Sequence, residues 1–126
     1  MPSPQYHSLV QQLRSRPRLA DFSIAEQRVL FDELTSQFPL LDNTRCEPVN
    51  LGAVAGEWVA ARDSLEDRII YYLHGGGYAI GSLNSHRALV SRLSSAAGAR
   101  CLMVDYRLAP EHQFPPAVDD AVAGYR

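Results

Sequence analysis

The chain has 126 residues, 46% of them hydrophobic and 21% charged, and a net charge of -2. That balance fits an ordinary folded domain rather than a disordered, fibrous or membrane-embedded chain, and it offers no basic stripe for nucleic acid. The longest apolar run, IIYYL, is far too short to span a bilayer, and the opening MPSPQYHSLVQQ lacks the apolar core of a secretory signal.

Two helices are expected first. Ser3 before Pro4 reads as a cap followed by a first-turn proline, and Tyr6, Leu9, Val10 and Leu13 then fall on one helical face. RPRLAD breaks that helix. Ser23 and Glu26 have the spacing of a capping box, with Leu30, Phe31, Leu34 and Phe38 as the apolar stripe and Pro39 as the stop. From Cys46 the period changes. CEPVNLGAVAGEWVAA predicts two short strands around a glycine-marked turn, and RIIYYL predicts a strand buried on both faces of a parallel sheet. SHRALVSRLSSAAG predicts a helix capped by Ser85, with Leu89, Leu93 and Ala97 on one face and Gly98 as a left-handed C-cap. RCLMVDY is a further strand, and FPPAVDDAVAGYR opens a last helix, with Asp119 and Asp120 placed to suit its dipole. Cys46 and Cys101 fall in strand-like surroundings and read as reduced core residues of a cytoplasmic protein. The order predicts an α/β chain with a mostly parallel sheet and flanking helices, and an open, aggregation-prone edge after CLMV through which copies would self-associate.

The chemistry concentrates in HGGGY, His74 to Tyr78, at the end of an apolar strand. Consecutive glycines admit positive φ and let a ligand approach the backbone closely, so two or more N–H groups can face one negatively charged oxygen. A flexible turn is the bland alternative. A dinucleotide-binding turn fails on spacing, because Ile80 stands where the third glycine of G-x-G-x-x-G is required. In the second patterned stretch, VDYRLAPEHQFPPAVDDA, Asp105 and Arg107 are placed to pair, and Pro110, Pro115 and Pro116 stiffen the connection. His7, His86 and His112 are isolated, with no spacing suited to a metal, and no cofactor is implied.

Together these stretches resemble the hormone-sensitive-lipase (GDXG) family of α/β-hydrolases. The resemblance implies residues 1–42 as cap helices over a substrate pocket and residues 43–126 as the first portion of an α/β-hydrolase core. It implies hydrolysis of a small carboxylic ester. The amides of Gly76 and Gly77 would hold the oxyanion, Gly75 would shape the turn, His74 would orient the loop, and Tyr78 would line the acyl pocket. Asp105, Tyr106, Arg107 and Glu111 would be structural. The family's nucleophile elbow, G-x-S-x-G, does not occur in these residues; around Ser82 the required glycine places hold Ile80 and Asn84. Ser85, Asp105 and His112 have the right order for a triad but not the expected setting. The expectation is therefore the N-terminal part of a serine esterase, inactive alone. The alternative is a non-catalytic ligand-binding or remnant protein on a hydrolase scaffold.

Overall fold

A computed structural model describes residues 2–126. Helix α1 spans Pro4–Ser15, capped by the Ser3 side chain. A short 3-10 turn at Leu19–Asp21 leads to α2, Ile24–Ser36, where Ser23 and Glu26 form the reciprocal capping box that their spacing predicts. The strands are β1 (Arg45–Asn50), β2 (Ala55–Ala60), β3 (Leu65–Tyr72) and β4 (Ala99–Val104). Helix α3 (Leu83–Ala97) joins β3 to β4, and α4 (Pro116–Tyr125) follows β4.

The four strands form one sheet in the order β1-β2-β4-β3. Only β3 and β4 pair in parallel; β1–β2 and β2–β4 are antiparallel. The expected mostly parallel sheet is thus a mixed one, because the two strands before β3 form a hairpin turned at Gly52 (φ +85°). This order also moves the open edge. Strand β4 lies inside the sheet, between β2 and β3, so the edges are β1 and β3 and not the flank of CLMV. As an edge, β3 is not buried on both faces as its apolar run suggested: Leu65 to Ile69 are exposed, and only Ile70, Tyr71 and Tyr72 are half-buried.

The core sits between the sheet and α3, around fully buried Val59, Val90, Cys101 and Met103. Burial pushes the Cys101 thiol up to about 11, so it is a packed, un-ionised group. Helix α3 departs from its expected reading twice. Its N-cap is Ser82, with Ser85 as the reciprocal partner three residues on. Its buried face carries Ser85, Ala88, Val90, Ser91 and Ser94, while Leu89 is 56% exposed. Small side chains let the helix lie close on the sheet, and the buried hydroxyls are bonded. Ser94 Oγ donates to the Ala99 carbonyl (2.6 Å) and accepts from the Ala61 amide (2.9 Å). The C-cap at Gly98 is left-handed, as expected. Leu30, Phe31 and Leu34 of α2 are half-buried, whereas no residue of α1 is buried. No described helix is long and apolar enough to cross a membrane.

Candidate active site

Two loops leave the carboxyl ends of the parallel pair, residues 73–82 after β3 and 105–115 after β4. With α4 they enclose a cleft of about 510 Å³, lined by residues 73–78, by Tyr106, and by Ala117, Val118, Ala121 and Val122. The glycine stretch therefore forms a wall of a cavity whose opposite side is apolar.

The glycines differ in what holds them there. Gly76 has φ +130°, and a Cβ on it would lie 2.0 Å from the Ile80 carbonyl oxygen. Both backbone angle and space demand glycine. Gly77 has φ +62° but open space around it. Gly75 has neither a positive φ nor a close neighbour, so the turn is shaped by Gly76 and Gly77 and not by Gly75. Tyr78, at φ +61°, continues the left-handed backbone, which is uncommon for a bulky residue. Its side chain is 62% exposed and borders the cleft, edge-on to Tyr106.

Most of the loop's carbonyls are engaged by protein donors. The Tyr106 hydroxyl donates to the His74 carbonyl (2.5 Å), and His74 Nδ1 lies 2.9 Å from the Gly75 carbonyl. The amides of Ala79 and Ile80 both donate to the Gly76 carbonyl (3.2 and 3.1 Å). The Ala109 amide donates to the Tyr78 carbonyl (2.8 Å), and Arg28 Nε to the Ala79 carbonyl (2.8 Å). Among the described residues, the amides of Gly75, Gly76 and Gly77 donate to no protein acceptor. A trans peptide is planar, with its C=O and N–H opposed, so fixing the carbonyls of residues 74, 75 and 76 fixes the N–H groups of residues 75, 76 and 77. The result is a short run of oriented donors beside a largely apolar cavity.

His74 is 5% exposed and stacks on Tyr106 at 4.3 Å between ring centroids. Its Nδ1 engages the Gly75 carbonyl and lies 3.3 Å from the Tyr106 hydroxyl, so it sits as a strut behind the loop. Burial raises the Tyr106 hydroxyl above its ordinary value and keeps it a neutral donor. The other ring nearby is His86, 5.4 Å from His74; burial first, and next the His74 ring, push its imidazole below the ordinary value.

The anticipated pairing of Asp105 with Arg107 is not formed. Arg107 pairs not with Asp105 but with Asp120, thirteen residues on. Asp120 accepts from Arg107 Nε (2.9 Å), Nη2 (2.7 Å) and the backbone amide (2.8 Å). Asp120 is 2% exposed, so its carboxylate is a buried tie between loop and helix, and those bonds from Arg107 hold it below its ordinary value. Asp105 is exposed, and among the described residues its side chain has no hydrogen-bond partner. Nor do Ser85, Asp105 and His112 assemble. Ser85 is 7% exposed, and its Oγ accepts from the Ser82 amide and contacts His86 Nδ1 at 2.9 Å. That hydroxyl–imidazole distance would suit a nucleophile and its base, but the oxygen is sealed inside a helix cap. No cluster of metal-ligating side chains occurs among the described residues.

Residues 70–126 match the family model for the alpha/beta hydrolase fold. An acetyl-hydrolase of Streptomyces hygroscopicus is 39% identical over all of this chain and 42% of its own length, and an esterase of Acinetobacter venetianus is 40% identical over 73% of this chain and 30% of its own. The crystal structure of an esterase from the bacterial hormone-sensitive lipase family superposes with a TM-score of 0.90 at 38% identity, covering all of this chain and 42% of that one. The chain has the α/β-hydrolase fold and is similar along its whole length to esterases of the bacterial hormone-sensitive lipase family. It spans less than half the length of the relatives it matches.

Two residues near the loop escape a sequence reading. Arg28, on α2, looks like one more charge on a solvated helix face, and nothing in its neighbourhood signals a partner far along the chain. It forms a bidentate pair with Glu111 (2.8 and 2.7 Å) and also donates to the Ala109 carbonyl (2.8 Å). Asp120 carried the signal of a helix-start acid but none of burial. The apolar positions Val118 and Val122, spaced one turn apart on α4, were the available clue to the far wall of the cleft.

Proposed function

We propose that the loop at Gly75–Gly77 is the oxyanion-binding part of a carboxylic-ester-hydrolysing site, with the apolar cleft receiving the acyl group beside Tyr78. One observation carries this reading: the carbonyls of residues 74, 75 and 76 are engaged by protein donors, while the consecutive glycine amides are left without a protein acceptor. An ester carbonyl that becomes tetrahedral concentrates negative charge on oxygen, and preoriented N–H groups in a poorly hydrated site stabilise that charge. The glycines let the ester oxygen come close, and His74 orients the loop without acting as general base. The similarity to an acetyl-hydrolase and an esterase supports a small ester as substrate. We read residues 1–42 as the cap and residues 43–126 as part of the hydrolase core. We also read the protein as cytoplasmic, in keeping with cysteines that stand unpaired on separate strands, Cys46 on β1 and Cys101 on β4. These 126 residues contain no G-x-S-x-G nucleophile elbow. The chain alone should therefore turn over no ester by an acyl-serine route.

The test has two arms. The 126-residue chain is assayed with p-nitrophenyl acetate, and phosphonate-sensitive turnover above background would contradict its inactivity alone. The chain is then grafted in place of the aligned segment of the Streptomyces acetyl-hydrolase, which supplies a nucleophile. The graft should hydrolyse the ester, and Gly76→Ala in it, whose methyl group would push the loop and its amides out of place, should lower kcat by about 10²- to 10³-fold, comparable to the loss of one oxyanion donor. An unchanged kcat in that variant would remove the assignment.

A further inference from the structure

Arg28 lies on α2 and does not line the cleft. We propose that it is a positioning residue that sets the direction of the Gly77 amide from outside the site.

The argument passes through two rigid units. Arg28 Nε donates to the Ala79 carbonyl at 2.8 Å. The Ala79 carbonyl and the Ile80 N–H belong to one planar peptide, so holding the first aims the second. The Ile80 N–H donates to the Gly76 carbonyl at 3.1 Å. That carbonyl shares a peptide plane with the Gly77 N–H, which is thereby turned to the opposite side. The guanidinium itself is fixed. Glu111 grips both terminal nitrogens, and Nη2 also donates to the Ala109 carbonyl, whose residue in turn holds the Tyr78 carbonyl through its amide. A planar fork with several donors in set directions can join three segments in this way; a lysine ammonium cannot reproduce it. The Gly75 amide has a separate anchor, the Tyr106 hydroxyl on the His74 carbonyl, and does not depend on Arg28. The rival role for Arg28 is a simple strap that keeps α2 against the core. It differs in what it predicts: loosening α2 as a whole would not single out Gly77 over Gly75.

The meaning of this for catalysis rests on the oxyanion reading above; the orientation of the amide does not. The full 126-residue chain, labelled with ¹⁵N, is compared with Arg28→Lys and Arg28→Gln at low concentration. In both variants the Gly77 and Ile80 resonances should shift or broaden, and exchange of the Ile80 amide should speed up about tenfold, as for a locally weakened turn. The Gly75 resonance should stay in place. Movement confined to α2, with Gly77 unmoved, overturns the proposal. If both variants fail to fold, Glu111→Gln retains the guanidinium and weakens its anchor; it should move Gly77 in the same direction by less, and no movement overturns the proposal. In the esterase graft, Arg28→Lys should lower kcat about tenfold, within the range expected of a misplaced catalytic group, and leave KM within about twofold. A raised KM with unchanged kcat overturns positioning and points to the cap instead. A moved Gly77 amide with unchanged kcat and KM supports the positioning and overturns the oxyanion reading.

Discussion

The two connections at the carboxyl end of the sheet occupy equivalent places and are built in opposite ways. Residues 73–82 contain four glycines and no proline; residues 105–115 contain two prolines and no glycine. The first connection works through its backbone. The carbonyls of residues 74, 75, 76, 78 and 79 are engaged, and the amides of Gly75, Gly76 and Gly77 donate to no protein acceptor among the described residues. The second works through side chains. Tyr106, Arg107 and Glu111 each reach out to another element, His74, Asp120 and Arg28 respectively. One loop presents the candidate chemistry and the other braces it. Substitutions in the glycine loop should therefore act through conformation, and those in the proline loop through lost partners.

Gly76→Ala is the sharpest way to break that contrast and should have the largest effect. A methyl group 2.0 Å from the Ile80 carbonyl oxygen cannot be accommodated without moving backbone, and the residue would also need a disfavoured φ. Together the steric and conformational costs should destabilise the chain by roughly 3 kcal/mol or rearrange the loop outright. Urea unfolding and the amide spectrum of residues 74–81 distinguish these two outcomes, and an undisturbed loop would refute the argument. Asp120→Ala comes next. It removes a buried carboxylate that accepts three bonds and leaves the Arg107 amide without its partner. The expected loss is about 2–3 kcal/mol by urea midpoint, tempered because Arg107 can turn to water. Gly77→Ala has room for its methyl and meets only the left-handed backbone, so roughly 1–2 kcal/mol is expected. Gly75→Ala should cost less than about 0.5 kcal/mol, since neither angle nor space resists it. If Gly75→Ala instead proved as harmful as Gly76→Ala, the three glycines would share a role that their geometry separates.

The sequence shows different parts of this molecule with different clarity. Local rules were enough for the helix caps at Ser3 and Ser23, for Gly98, and for every strand and helix as an element, because each is settled by residues a few positions apart. Strand neighbours are a different matter. Nothing within RCLMV states that β2 will pair with it, so the edge was assigned to the wrong side. The buried face of α3 was misjudged because serine and alanine carry a weak hydrophobic signal, and only the closeness of helix to sheet makes them core. In the candidate site, HGGGY was legible as a motif, but which glycine bends the chain depends on φ angles. Arg28 and Asp120 were beyond reach because their partners lie 83 and 13 residues away and are joined only by the fold.

The smallest effect tests the outer brace alone. Hydrogen bonds from Arg28 hold the Glu111 carboxyl down at about 2, against an ordinary 4.5. A depressed carboxyl contributes stability that is fully present above its unfolded value and is lost as pH falls through its folded value. The window for this pair thus runs from about 4.5 down to about 2. The Glu111 side chain is 55% exposed, so solvent screens the pair and its share of global stability should be slight. The titration itself is the better readout. Carboxyl-carbon NMR should give a Glu111 midpoint near the depressed value in the unaltered chain, and in Arg28→Gln that midpoint should rise toward the ordinary range. A midpoint already ordinary in the unaltered chain would mean that the fork is open in solution. The brace between α2 and the proline loop would then be absent, and the Ala79 carbonyl would have to be held by something other than Arg28.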